Sequence, residues 1–197
     1  MYFEVNKTYH IYNRSNETVF FDNKNYLYFL SKFNKLIVPY SHILSWCLMP
    51  NHFHFLIVAK SEGCQLINEK HRPNVQLLSK NFGTLLSSYT RAINKAHGRK
   101  GKLFAHNTQA KCLNDEFNNN NFLINCFHYI HQNPIRAEIC SNMKDWEYSS
   151  FLDYAGLRNG KLANKELAYE MINFDKDNFE AQSDILIEER NIKGMFY

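Results

Sequence analysis

The chain has 197 residues, 45% apolar and 21% charged, with a formal net charge of +4; that balance is globular and excludes a disordered chain. No apolar run approaches the ~20 residues that cross a bilayer, and the polar opening MYFEVNKTYH does not read as a secretory signal. A cytoplasmic protein is expected, without a membrane partner, built as one compact domain with room for a small appendage.

KTYHIYNRS (7–15) alternates and carries β-favouring residues, predicting a first strand. DNKNYLYFLSKFNKLIV (22–38) is a helix with Asp22 as N-cap and Pro39 as its stop. HILSWCLM (42–49) and HFHFLIVAK (52–60) are two strands joined through Pro50 and Asn51, an antiparallel pair. SEGCQLINEKHRP (61–73) has no clean period and reads as a loop or short helical insertion.

Apolar residues then recur at three and four over 74–98, a second helix that Gly83 can bend and Gly98 ends. A weaker strand is expected over 102–113. The helix over 114–138 is firmest from Phe122 to Gln132, with Asn114 or Asp115 able to cap an earlier start and Pro134 ending its clean run. The order β α β β α β α predicts an α+β sandwich, a mostly antiparallel sheet with helices on one face. The tail beyond residue 156 is polar, acidic and helix-leaning.

Charge is uneven. RAINKAHGRKGK (91–102) holds Arg91, Lys95, Arg99, Lys100 and Lys102 with no acid, whereas from Lys165 onward acids equal or outnumber bases. With aromatics at 15%, a basic surface bearing some exposed rings suits single-stranded nucleic acid, although most rings belong in a core. Five cysteines (47, 64, 112, 126, 140) are odd in number and lack CxxC spacing, so neither a disulfide framework nor a thiolate zinc site is expected.

Two short stretches carry chemistry. In WCLMPNHFHFLIV (46–58), His52 and His54 are two apart on a strand and share a face, while Phe53, Phe55 and Ile57 take the other. Two neutral imidazoles one pleat apart can hold one divalent cation; the alternative is a pair of hydrogen-bonded core histidines. In HYIHQNPIRAE (128–138), Tyr129 and Asn133 stack on one helical face with Arg136 just beyond, unless Tyr129 is an ordinary core tyrosine.

CLMPNHFHFLI (47–57) resembles the His-hydrophobic-His, or HUH, motif of single-tyrosine insertion-sequence transposases and of the REP-associated tyrosine transposases. FHYIHQNPIRAE (127–138) resembles the YIHxNP segment of the latter. YHIYNRS (9–15), GRKGKLF (98–104) and WEYSSFLDYAG (146–156) follow in matching order, so the likeness spans about residues 7–156. It implies a ferredoxin-like HUH endonuclease sandwich over 1–156, followed by a C-terminal helical extension over 157–197.

The resemblance further implies that His52 and His54 ligate Mg²⁺ or Mn²⁺, that Tyr129 is the nucleophile and that Asn133 is the third ligand. Insertion-sequence members commonly have glutamine there, one methylene longer, so the reach must be made up elsewhere. Such a site would cut and rejoin single-stranded, hairpin-forming DNA through a 5′-phosphotyrosine link, and the protein is expected to work as a monomer or homodimer. Arg14, Arg91, Lys111 and Arg136 are candidate phosphate contacts, the alternative being solvated surface charges. Tyr89 is a rival nucleophile better suited to the core or to stacking on DNA. Gln109 stands where a second lysine is expected, which bears on DNA affinity. Two other readings stay open: a single-stranded nucleic-acid-binding module without cleavage, and a small metalloprotein using its histidines structurally.

Overall fold

The computed structural model describes residues 1–69, 72–104, 106–114 and 121–192. In chain order the elements are β1 (Thr8–Arg14), α1 (Asn23–Leu36), β2 (Ser41–Met49), β3 (His52–Ala59), α2 (Ser61–Cys64), β4 (Leu66–Glu69), β5 (Arg72–Gln76), α3 (Leu77–Ala96), β6 (Gln109–Cys112), α4 (Asn121–Arg136), α5 (Phe151–Tyr154), α6 (Lys165–Met171), α7 (Phe179–Asp184) and α8 (Glu189–Ile192). None of the described helices is long and apolar enough to cross a membrane.

Four strands form one sheet in the order β2-β3-β1-β6, every neighbouring pair antiparallel. The fold class is therefore α+β with an antiparallel sheet. The two-residue turn at Pro50 and Asn51 sets the β2–β3 register and is itself pinned: Pro50 O accepts from Val19 N and Phe20 N, and Asn51 O from Ser15 N. That register places Cys47 beside His54 and Met49 beside His52, while β1 places Tyr12 beside His54 and Arg14 beside His52.

Helices cover both faces of this sheet, not one. On the Phe53 and Phe55 face, Phe33 of α1 stacks on Phe55 at 3.9 Å, Phe29 meets Phe53 at 5.5 Å, and Phe82 of α3 packs against Phe33 at 6.2 Å. On the histidine face lies α4, with Tyr129 edge-on to His54 at 5.9 Å. The reason is that the histidine face is itself largely apolar: Cys47, Met49 and Leu56 share it and are fully buried. A strand with apolar residues on both faces needs a cover on each.

Several elements differ from the sequence expectation for local reasons. Residues 66–69 and 72–76 form an antiparallel hairpin instead of a loop, and α3 accordingly begins at Leu77. β6 is only four residues long. The Asn114 carboxamide accepts from Thr8 N at 2.5 Å, at the edge of the sheet, and is thus not a cap for α4; Asp115 lies outside the described residues. α4 runs through Pro134 to Arg136.

Beyond residue 145 the chain seals the outer edge of β2 by mutual bonds of Trp46 and Ser150 and a bond from Leu48 N to Tyr148 O, which removes a pairing edge. Residues past 156 pack on α4: Phe174 and Phe179 meet Phe127 at 4.8 and 6.1 Å. Residues 183–187 run along α4, where Gln132 Nε2 donates to Ser183 O and Ile185 O, and Ile187 N donates to Gln132 Oε1.

His128 closes this seam through Nδ1 to Ser183 Oγ at 2.9 Å, and burial holds its pKa down to about 4. Because the unfolded chain takes up that proton near pH 6.5 and the folded chain does not, stability falls as pH drops from about 6.5 toward 4. Denaturant unfolding at pH 7.5 and 4.5 is expected to differ by on the order of 2 kcal/mol from this group, and His128→Gln to reduce the difference. An equal pH dependence in that variant contradicts the assignment.

Candidate active site

β3 projects His52 and His54 side by side, with ring centroids 5.1 Å apart and planes nearly perpendicular. Each ring has its outer nitrogen held: His52 Nδ1 lies 2.6 Å from Asn51 Oδ1, and His54 Nδ1 lies 2.9 Å from Nε2 of His10. Burial pushes His52 down to about 4 and His54 well below the usual histidine range, Arg14 adding to both and Asn133 opposing in His52. Both rings are neutral at neutral pH. His52 therefore carries one proton and faces two amide oxygens, Asn51 Oδ1 at 2.6 Å from Nδ1 and Asn133 Oδ1 at 3.5 Å from Nε2; the shorter contact is the better hydrogen bond, which places the proton on Nδ1 and leaves Nε2 bare.

α4 brings the other two groups. Tyr129 and Asn133 are one turn apart on the surface of α4 that meets the sheet, and Asn133 Oδ1 lies 3.5 Å from His52 Nε2. The proline next in sequence sets this orientation. Pro134 has no N–H to give Ile130 O, the carbonyl four residues back. Asn133 Nδ2 lies 3.5 Å from that oxygen and 2.9 Å from Tyr129 O. With its NH₂ spent on the backbone, the carboxamide has only its oxygen to present to the histidines.

A bare imidazole nitrogen thus faces an amide oxygen with no proton between them. Two such lone pairs repel, and a small divalent cation held by both groups would relieve that repulsion. The donor set of His52, His54 and Asn133 fits a cation of this kind. α4 packs directly on β2 and β3, which brings the Asn133 oxygen to 3.5 Å from His52 Nε2. Among the described residues no group of three or more His, Cys, Asp or Glu side chains is arranged to hold a metal, so a three-ligand protein set at this place would have to draw on the Asn133 carboxamide.

Tyr129 is half-buried, and burial pushes its phenol up to about 12 against the opposing pull of Arg136 and Arg14. The Arg136 guanidinium lies 5.3 Å from the Tyr129 ring centroid and donates to Ile187 O at 2.8 Å. Arg14 is exposed beside His52, and Lys111 of β6 pairs with His10, so the two strands carry both cations on the histidine face. Arg91 is exposed on α3, across the sheet, and is not brought to the site. Tyr89 is likewise across the sheet, fully buried, its hydroxyl donating to Val19 O at 2.7 Å.

His10, Tyr12 and Asn51 belong to the site and were not singled out from sequence. The signal was present: YHIYNR alternates, so His10, Tyr12 and Arg14 share one face, and pairing with β3 turns that face to the histidines.

No family model matches this sequence, and no match was found among curated proteins. Among solved structures, the chain is similar to a REP-associated tyrosine transposase bound to a REP hairpin, with a TM-score of 0.58 and 14% identity over 83% of this chain and 92% of that one. At that identity the likeness speaks for the fold.

The neutrality of the two histidines is directly measurable. In the metal-free protein the ring resonances of His52 and His54 are expected to stay invariant from pH 8 to about 5 in an NMR titration. A transition near pH 6.5 in either contradicts the burial argument.

Proposed function

We propose that this protein is a divalent-cation-dependent nuclease and strand transferase acting on single-stranded, hairpin-forming DNA, with Tyr129 as nucleophile. The observation that carries this reading is the convergence of a phenol, two neutral imidazoles and an outward-aimed amide oxygen across the seam between α4 and β3. The solved neighbour is described with a REP hairpin bound, which supports the same substrate class here. Residues 1–156 form the catalytic unit, and the described residues beyond 156 buttress α4.

His52, His54 and Asn133 would hold Mg²⁺ or Mn²⁺. When bound, that cation supplies Lewis-acid stabilisation of charge developing on the scissile phosphate. Arg14 and Lys111 draw the DNA backbone onto the histidine face. Tyr129 Oη attacks phosphorus, one P–O bond forms and the bond to the 3′-oxygen breaks. The phenol loses a proton and the 3′-oxygen gains one, leaving a 5′-phosphotyrosine and a free 3′-hydroxyl. Because one phosphodiester replaces another, attack by a different 3′-hydroxyl reverses the step and joins strands with no external energy source. Arg136, stacked on the ring, opposes the burial that disfavours the phenolate. The tyrosine stands over the histidines of its own chain, which supports cleavage in cis.

Incubation with short single strands and Mn²⁺, read on denaturing gels, is expected to give a covalent protein–DNA complex. Tyr129→Phe should abolish it while changing stability by no more than about 1 kcal/mol, and Asn133→Ala should weaken Mn²⁺ binding and adduct formation together. Adducts that persist in Tyr129→Phe refute the nucleophile. Salt-sensitive binding without adducts in the unsubstituted protein would instead identify a non-catalytic binding module.

A further inference from the structure

His10 is fully buried in β1, and its Nε2 lies 2.9 Å from Nδ1 of His54. The two rings are nearly parallel, 15° apart with centroids at 5.1 Å, and Tyr12 lies within 28° of both planes, at 5.0 Å from His10 and 6.1 Å from His54. His10 and His54 thus lie edge to edge and nearly coplanar with Tyr12 against both, and neither histidine turns over in this close packing without displacing its neighbours. The nitrogen-to-nitrogen contact is therefore a fixed feature of the site.

A hydrogen bond between two imidazole nitrogens needs one N–H and one bare nitrogen. If His10 donated, neutral His54 would carry its proton on Nε2, the nitrogen on the far side of the ring, and could not ligate a cation through it. If His54 donates, Nε2 is bare. His52 meets the same requirement with an obligate acceptor, Asn51 Oδ1, and buried ligand histidines generally have their second nitrogen tied in this way. His10 is not a third ligand in this arrangement, because its Nε2 is spent on His54 and its Nδ1 then carries the ring's one proton.

Resting on the nuclease reading above, we propose that His10 is a positioning residue: it accepts the Nδ1 proton of His54 and so fixes the tautomer in which His54 Nε2 bears no proton and presents its lone pair. His10 then carries its own proton on Nδ1. The pair is a relay of orientation from β1 to β3, and it gives the half-alternating stretch YHIYNR a role that packing alone does not require.

The test begins without metal. Long-range ¹H–¹⁵N correlation spectra of the histidine-labelled, metal-free protein distinguish the tautomers, and His54 is expected as Nδ1–H. In His10→Phe, which keeps an aromatic plane but no acceptor, His54 is expected to move to Nε2–H and Mn²⁺ affinity, followed by EPR titration, to fall about 10–100-fold. In His10→Gln an acceptor oxygen returns, and with it the Nδ1–H form and most of the affinity. Nε2–H in the unsubstituted protein, or unchanged tautomer and affinity in His10→Phe, overturns the proposal. Failure of the unsubstituted protein to take up Mn²⁺ overturns the nuclease reading instead. The two failures stay distinct because the tautomer is read in the absence of metal.

Discussion

The candidate site depends on one contact, the docking of α4 across the histidine face of the sheet. Without it His52 and His54 are two imidazoles on a strand; with it they face a phenol and an amide oxygen. The contact is driven by the apolar residues that share the face. Cys47, Met49 and Leu56 from the sheet and Cys126 and Ile130 from the helix are all fully buried. The hydrophobic effect thus supplies the closeness, and the polar groups ride on it. The same burial that brings them together removes water, which keeps the histidines neutral and makes the phenol hard to ionise.

α4 serves three partners at once, and its sequence divides accordingly. Tyr129 and Asn133 face the histidines. His128, Gln132 and Arg136, spaced by four, bind the C-terminal segment from Ser183 to Ile187. Phe127 and His131 pack into the aromatic cluster of Phe151, Tyr154 and Phe179. A helix held on three sides cannot roll without breaking bonds on all of them. Arg136 belongs to two of these sets, since it stacks on Tyr129 while bonding Ile187 O, and so it couples the C-terminal segment to the ring of the tyrosine. Pro134 adds a further constraint from within the helix, orienting the carboxamide of the residue before it.

Much of this was legible in the sequence because it rests on local periodicity. Alternation placed His52 and His54 on one face, and the spacing of four placed Tyr129 above Asn133. The Asp22 cap and the β2–β3 hairpin are equally local. What was not legible depends on pairing between distant segments. The helix cover on the second face follows from the buried β2 and β3 together. His10 enters the site only through the β1–β3 register, and Arg91 leaves it because α3 crosses the opposite face. Asn114 looked like a cap for α4 by composition, but its carboxamide went to Thr8, 106 positions away in sequence. The run through Pro134 was unexpected because the compensating donor is a side chain, Asn133, which propensity alone does not reveal.

Crystals grown with Mn²⁺ and measured at its absorption edge would test the central claim most directly. The account predicts one strong anomalous peak bounded by His52 Nε2, His54 Nε2 and Asn133 Oδ1, beneath the Tyr129 ring. No peak there at saturating Mn²⁺, with the two imidazoles unmoved, would contradict it.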